Sequence, residues 1–330
     1  MSTKKIRRTW QCLAFSLPLM LVGMSAHAAT DAWPERPVRV IVPFPAGGIN
    51  DTVARIALNH LGTTMNTGIV VENRPGAGGT IGTLAAVQSP ADGYTFLLGA
   101  ASTIAVAPQL YRDAAYKPET DLTAIGGIAS VASVAVAAAD TPWKSLDDLI
   151  RHDKEKPATL HYGSAGAGTS HHVQTELLKL KTGAKWIHVP YRGGAPAMTD
   201  LIGKQIELML EPLPTALSHI QSGRVVALGV TSAQRSPTLP DVPTFQELGI
   251  QDYEATTWFG LFAPKGLAQD IAGKMSAALQ KTLQSDALKQ DFASRGIDVY
   301  TGDRQAFEQF VGTETRLWGD VIRDAGITVE

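Results

Sequence analysis

The stretch Val38-Arg39-Val40-Ile41-Val42-Pro43-Phe44-Pro45-Ala46-Gly47-Gly48-Ile49-Asn50-Asp51-Thr52-Val53-Ala54-Arg55-Ile56-Ala57-Leu58-Asn59-His60-Leu61 changes its period halfway along. Its first five residues are almost all branched and apolar, the composition of a strand buried on both faces. Two prolines and two glycines then break the run. Beyond them Val53, Ile56, Ala57 and Leu61 recur at helical spacing after Asn50-Asp51. The order is strand, glycine turn, helix.

Outward from this stretch the order repeats. A strand over 69–71 precedes a glycine loop at 73–79 and a helix over 81–87, and the turn Ala91-Asp92-Gly93 leads to a strand over 95–98. A second unit begins with an apolar strand over 131–137 and a helix opened by Ser145-Leu146-Asp147-Asp148 at capping-box spacing. Strands over 160–163, 186–189, 206–210 and 225–230 then alternate with helices over 169–181, 196–202 and 214–221. Alternation of this kind predicts an α/β fold, each lobe a mostly parallel sheet flanked by helices on both faces.

After a proline-rich surface loop at 236–242 come a strand over 257–262 and two long helices, about 267–285 and 303–325. Those helices have no sheet of their own, and an apolar stripe must be buried somewhere, so the chain is expected to cross back to its first lobe. The expected division is lobe 1 over 29–130 and 256–330, and lobe 2 over 131–255. Two crossovers, at 127–133 and 255–258, would form a hinge.

Lys4, Lys5, Arg7 and Arg8, an apolar run over 12–24 and Ser25-Ala26-His27-Ala28 have the order of a secretory signal peptide, expected over 1–28. A membrane anchor needs about 20 apolar residues, and Ser16 and Pro18 interrupt this run. Arg7-Arg8 leaves general and twin-arginine export both open. The single cysteine, Cys12, lies inside the leader, so no disulfide or thiolate is expected in the mature chain. Removing the leader leaves 25 basic against 31 acidic residues, a formal charge of −6 where the whole chain has −2. That balance argues against a nucleic-acid partner.

Ligands of open parallel sheets bind beyond the carboxyl ends of the strands, where the glycine loops fall. There backbone N–H groups can approach a guest, and a helix start adds about half a unit of positive charge. Candidate contacts on this reasoning are Ala46, Gly47, Gly48, Asn50 and Asp51; Gly78, Gly79 and Thr80; Ser102 and Thr103; and Ser164, Gly166, Gly168 and Thr169. Each loop alone is equally a tight turn. His171, near a helix start, could donate to the ligand or to the loop. Tyr191 and Arg192 lie between a strand and a helix; Arg192 could clamp a second carboxylate or form a surface ion pair. Glu211, at a strand end, could accept from a ligand hydroxyl or ammonium, or serve as a cap or hinge contact.

No glycine loop has the spacing of a dinucleotide fingerprint or ends in Gly-Lys-Ser/Thr, and no Gly-x-Ser-x-Gly elbow occurs. His171 and His172 point about 100° apart on a helix, without a partner at ligand spacing. His188 reads as a satisfied, half-buried histidine. No metal, cofactor or catalytic group is expected; a hydrolase using Ser164, Ser170 and His171 lacks an acid in register.

On Trp33-Pro34-Glu35-Arg36-Pro37, residues 43–51, Glu72-Asn73-Arg74-Pro75-Gly76-Ala77-Gly78-Gly79, His188-Val189-Pro190-Tyr191-Arg192-Gly193, and Pro240-Asp241-Val242-Pro243-Thr244 through Trp258-Phe259-Gly260, the chain resembles the substrate-binding proteins of tripartite tricarboxylate transporters, the Bug family. The resemblance covers essentially the whole mature chain. It implies a periplasmic, two-lobed Venus-flytrap fold of type II, no enzymatic activity, and a ligand carboxylate held by backbone amides and ordered water from 46–51 and 78–82. The second lobe would close with 164–170. Leu210-Glu211 stands where the family commonly has Phe-Asp, moving the carboxylate about 1.5 Å further into the cleft. The expected ligand is a di- or tricarboxylate, an amino acid or an aromatic acid. The expected partners are inner-membrane transporter subunits or a membrane sensor, and the protein is expected to be a monomer.

Overall fold

The computed structural model describes residues 33–111 and 114–328; the leader expected over 1–28 lies outside them. β1 (Val38–Val42) leads to α1 (Ile49–Met65), and β2 (Ile69–Asn73) passes through a tight turn, Ala77–Gly79, into α2 (Thr80–Val87). β2 and β3 (Thr95–Ala100) flank β1 in parallel, with Val40 opposite both Val71 and Phe96. Val38, Val40 and Val42 enter one core cluster with Val53 and Phe96, whereas Ile41 joins another with Leu97. Burial on both faces is why β1 reads as an unbroken apolar run.

β3 is followed by a π-helical turn, Ser102–Val106, continuing into α3 (Ala107–Leu110); α4 (Pro118–Asp121) then opens onto β4 (Leu122–Ala138). β4 is 17 residues long, far longer than the strand expected over 131–137. Its Gly127 leaves room for a ring: a Cβ there would lie 2.4 Å from the ring of Tyr300.

The second unit runs α5 (Leu146–Glu155), β5 (His161–Ser164), α6 (Ser170–Thr182), β6 (Ile187–Pro190), α7 (Gly194–Ile202), β7 (Leu208–Pro212), α8 (Leu213–Gln221) and β8 (Val225–Val230). Ser145 and Asp148 form the capping box read from their spacing. The chain returns on β9 (Thr256–Pro264) and ends with α9 (Gln269–Gln284), α10 (Asp286–Ala293), β10 (Asp298–Val299) and α11 (Arg304–Asp324).

Strand order is β2-β1-β3-β9-β4 in the first sheet and β6-β5-β7-β4-β8 in the second. In each sheet the strands that alternate with helices run parallel, as expected, and the strands that connect the sheets run against them. β9 runs against β3 and β4, and β4 runs against β7 and β8, because one strand must carry the chain out of the first sheet and another must bring it back. β4 belongs to both sheets: Leu122 to Ala132 pair with β9, and Ser133 to Ala138 with β7 and β8. At the crossing, Thr231 N–H donates to Ser133 O at 2.9 Å, Ser133 N–H to the Thr231 hydroxyl at 2.8 Å, and Ala255 N–H to Thr231 O at 3.1 Å.

α9 packs on α1 and β4, whereas α11 covers the π-turn and β4 and also reaches α6. Trp258 of β9 and Trp318 of α11 both donate their indole N–H to Glu314 Oε2 at 2.9 Å, and burial, with Glu254 adding to it, holds that carboxyl above its ordinary value.

Candidate functional site

α1, α2, α6, α7 and α8 each begin just beyond the carboxyl end of a strand. At their N-caps, Gly48, Gly79, Thr169, Gly193 and Pro212, no side chain accepts from the helix backbone. By contrast α5, α10 and α11 are capped by Ser145, Ser285 and Asp303. An uncapped start leaves N–H donors for another acceptor. Since α9 and the four-residue α3 and α4 are uncapped too, the missing caps alone do not define a site. Convergence does.

A Cβ on Gly79 would lie 2.6 Å from Thr103 Cγ2 and 3.0 Å from the Phe44 ring, so the loops after β1, β2 and β3 are in contact. The Tyr111 hydroxyl sits 2.7 Å from the place a Cβ would take on Gly78, and it donates to Ala167 O at 3.1 Å in the loop after β5. Gly168, at φ +73°, faces Leu110 from that same loop. Glycine loops after β2 and β5, one from each sheet, thus meet at one tyrosine, which no local sequence signal marked.

In the first sheet, Asp51 is turned inward. Its carboxylate accepts from Gly47 N–H and Arg55 Nε, both at 2.9 Å, and from Asn73 Nδ2 at 3.0 Å. Burial favours its acid form, but the bonds from Arg55, Gly47 and Asn73 outweigh burial and leave the carboxyl below its ordinary value. Asp51 therefore shapes the loop, while Ala46, Gly47 and Gly48 lie exposed along it. Asn50 Oδ1 is buried without a hydrogen-bond partner. Thr80 caps locally onto Ala77 O at 2.8 Å, the Thr103 hydroxyl is bonded to Ala100, and Ser102 is buried at the head of the π-turn.

In the second sheet, His171 Nε2 lies 3.0 Å from Glu211 Oε2, and Thr215 donates its hydroxyl to the other Glu211 oxygen. Both carboxylate oxygens are thus engaged within the protein, and His171 Nδ1 is buried without a partner among the described residues. A Cβ on Gly194 would lie 3.3 Å from either Glu211 oxygen, so this helix start packs closely against the pair. Tyr191 donates its hydroxyl to Asp200 at 2.8 Å; burial, and then Asp200, pushes it up to about 12. Arg192 is exposed and makes no hydrogen bond or ion pair among the described residues. The Thr169 hydroxyl donates to Gly166 O at 2.7 Å.

Behind that loop lie two histidines not counted among the candidate contacts. His188 Nε2 is 2.6 Å from the Ser164 hydroxyl, and His172 Nδ1 accepts from Gly168 N–H at 3.1 Å. His188 is thus bonded and half-buried, as its strand position suggested. The described residues contain no group of three or more histidine, cysteine or acidic side chains placed to hold a metal.

Residues 53–327 match the model of the tripartite tricarboxylate transporter family receptor. The chain is similar to Protein BugT of Bordetella pertussis, 37% identical over 305 residues, covering 92% of this chain and 94% of that protein. It also matches the structure of R. palustris Rpa4515 with adipate (TM-score 0.85, 33% identity, 90% of this chain and 99% of that one). A third match is MatC (Rpa3494) from Rhodopseudomonas palustris with bound malate (TM-score 0.80, 29% identity, 88% of this chain and 100% of that one). The fold as a whole is shared with solved periplasmic binding proteins. Its relatives are solute receptors and not enzymes, and the chain belongs to the tripartite tricarboxylate transporter receptor family.

Proposed function

We propose that this protein, exported to the periplasm by the leader over 1–28, closes on a small carboxylate-bearing solute and delivers it to the membrane subunits of a tripartite tricarboxylate-type transporter. Lobe 1 would be 29–130 with 256–330, and lobe 2 would be 131–255. The observation that carries the reading is the meeting of the uncapped starts of α2 and α6, one from each sheet, at Tyr111. A carboxylate placed there accepts from backbone donors and sits at the positive ends of helix dipoles.

Contacts would come from the backbone at 46–50, 78–80, 102–103 and 164–169, with Asp51 and Glu211 shaping the walls they belong to and His171 offering its free ring nitrogen. Arg192, exposed and unpaired among the described residues, is suited to a second carboxylate. Adipate with Rpa4515 and malate with MatC are dicarboxylates, which puts that class first for this chain, ahead of tricarboxylates, amino acids and aromatic acids.

The test is a thermal-shift screen of the mature protein against mono-, di- and tricarboxylates, amino acids and their amides. A ligand at 100 times its dissociation constant adds about 2.7 kcal/mol to the folded state. A shift confined to carboxylates supports the reading; no shift with any carboxylate overturns it.

A further inference from the structure

The loop between Ser164 and Gly168 is held at both ends by imidazoles. At its start, His188 Nε2 lies 2.6 Å from the Ser164 hydroxyl, which also meets the N–H and carbonyl of Gly166. At its end, Gly168 N–H donates to His172 Nδ1 at 3.1 Å. The two rings stack, centroids 3.8 Å apart and 10° from parallel, and Tyr162 stacks on His188 at 4.9 Å.

A ring nitrogen that accepts from an N–H must carry a lone pair. A proton on His172 Nδ1 would set N–H against N–H and place a cation within van der Waals distance of a second basic ring. The charged groups acting on the pair are Glu176 and Lys179 of α6. Glu176 already accepts from the Tyr162 hydroxyl and pairs with Lys179 at 2.7 Å, so the nearest carboxylate is committed elsewhere. Burial, and then Lys179, keeps His172 uncharged down to about 4; burial, and then His172, does the same for His188 down to about 3.

We propose that His172 and His188 are positioning residues that hold this loop in its binding shape only as uncharged rings, so that acid loosens the loop and weakens solute capture. The proposal rests on the reading of 164–169 as one wall of the solute site.

Two measurements keep the proposal and that reading apart. The first is amide exchange at 165–168 in the ligand-free protein, corrected for intrinsic rates. The second is the affinity for the tightest binder among succinate, malate, adipate and citrate at pH 7, 5, 4 and 3. His172→Ala is expected to speed loop exchange and weaken affinity at least tenfold at pH 7. His172→Asn supplies a side-chain oxygen that accepts from Gly168 N–H without titrating. It is expected to recover most of both losses and to flatten the acid fall in affinity seen in the unaltered protein. The solute's own ionisation is common to both proteins, so the difference between their profiles decides. Unchanged exchange in His172→Ala, or an acid profile in His172→Asn that follows the unaltered protein, overturns the proposal. If none of the four carboxylates binds at pH 7, the reading of the site fails, and the exchange data still decide the role of the rings. Should His172→Ala not fold, His172→Asn and His188→Asn carry the exchange comparison.

Discussion

The Tyr111 hydroxyl donates to the Ala167 carbonyl at 3.1 Å, so a residue beyond β3 of the first sheet is bonded to the loop beyond β5 of the second. Closure of two lobes on a ligand is stabilised by contacts made only when they are together. Tyr111→Phe removes this one, a loss of about 0.5–1.5 kcal/mol, or roughly two- to tenfold in affinity. Stopped-flow binding should show the change mainly in the dissociation rate; an unaltered rate would mean that the bond does not survive in solution.

Asp51→Asn removes an acceptor buried among Gly47, Arg55 and Asn73. Urea unfolding at pH 7 should show a loss of about 1–3 kcal/mol. Because the native carboxyl lies below its ordinary value, its contribution is present above the unfolded value of about 3.9 and is lost as the pH falls through the native one. The gap between variant and parent should therefore narrow on acidification, and a gap that widens would contradict this.

Gly82→Ala tests the close packing of the loops after β1 and β2. Its new Cβ would lie 2.5 Å from Arg74 O and 2.7 Å from Pro43 Cα, and backbone atoms cannot swing aside. A cost of about 1–3 kcal/mol is expected, with weakened binding. Gly273→Ala is the control, within α9 and with nothing inside 4 Å. It should stabilise by up to about 1 kcal/mol. Equal effects in calorimetric scans would refute the distinction.

Stability itself should depend on acid through His172 and His188. The unfolded chain protonates both near pH 6.5, while the native protein keeps them neutral to about 4 and about 3. The unfolded state then binds more protons, so unfolding free energy should fall from pH 6.5 downward by up to about 1.4 kcal/mol per pH unit for each ring. His172→Asn should halve that slope; a flat profile in the parent would show that the rings are charged in the native state.

Much of the frame was legible because each element in the α/β units is long enough to show a period, and each glycine turn marks where the period changes. The full length of β4 was not. The space left by Gly127 is filled by the Tyr300 ring, a contact made over 170 positions along the chain that no local pattern announces. The reversed direction of β9 was hidden too, since a strand's own residues do not record which neighbour it pairs with. α10 and β10, of 8 and 2 residues, are too short to show a pattern. At the site, the glycine loops were visible, but the inward turn of Asp51 and the bonds from Tyr111, His172 and His188 depend on distances that spacing does not encode.

Backbone donors at the converging helix starts are proposed to take hold of a carboxylate. Titration calorimetry with the tightest-binding dicarboxylate and with its diamide of the same length separates carboxylate capture from simple shape fit. One site per chain is expected, with the diamide at least about 100-fold weaker, a difference of about 2.7 kcal/mol. Equal affinity for the two, or no heat with either, would contradict it.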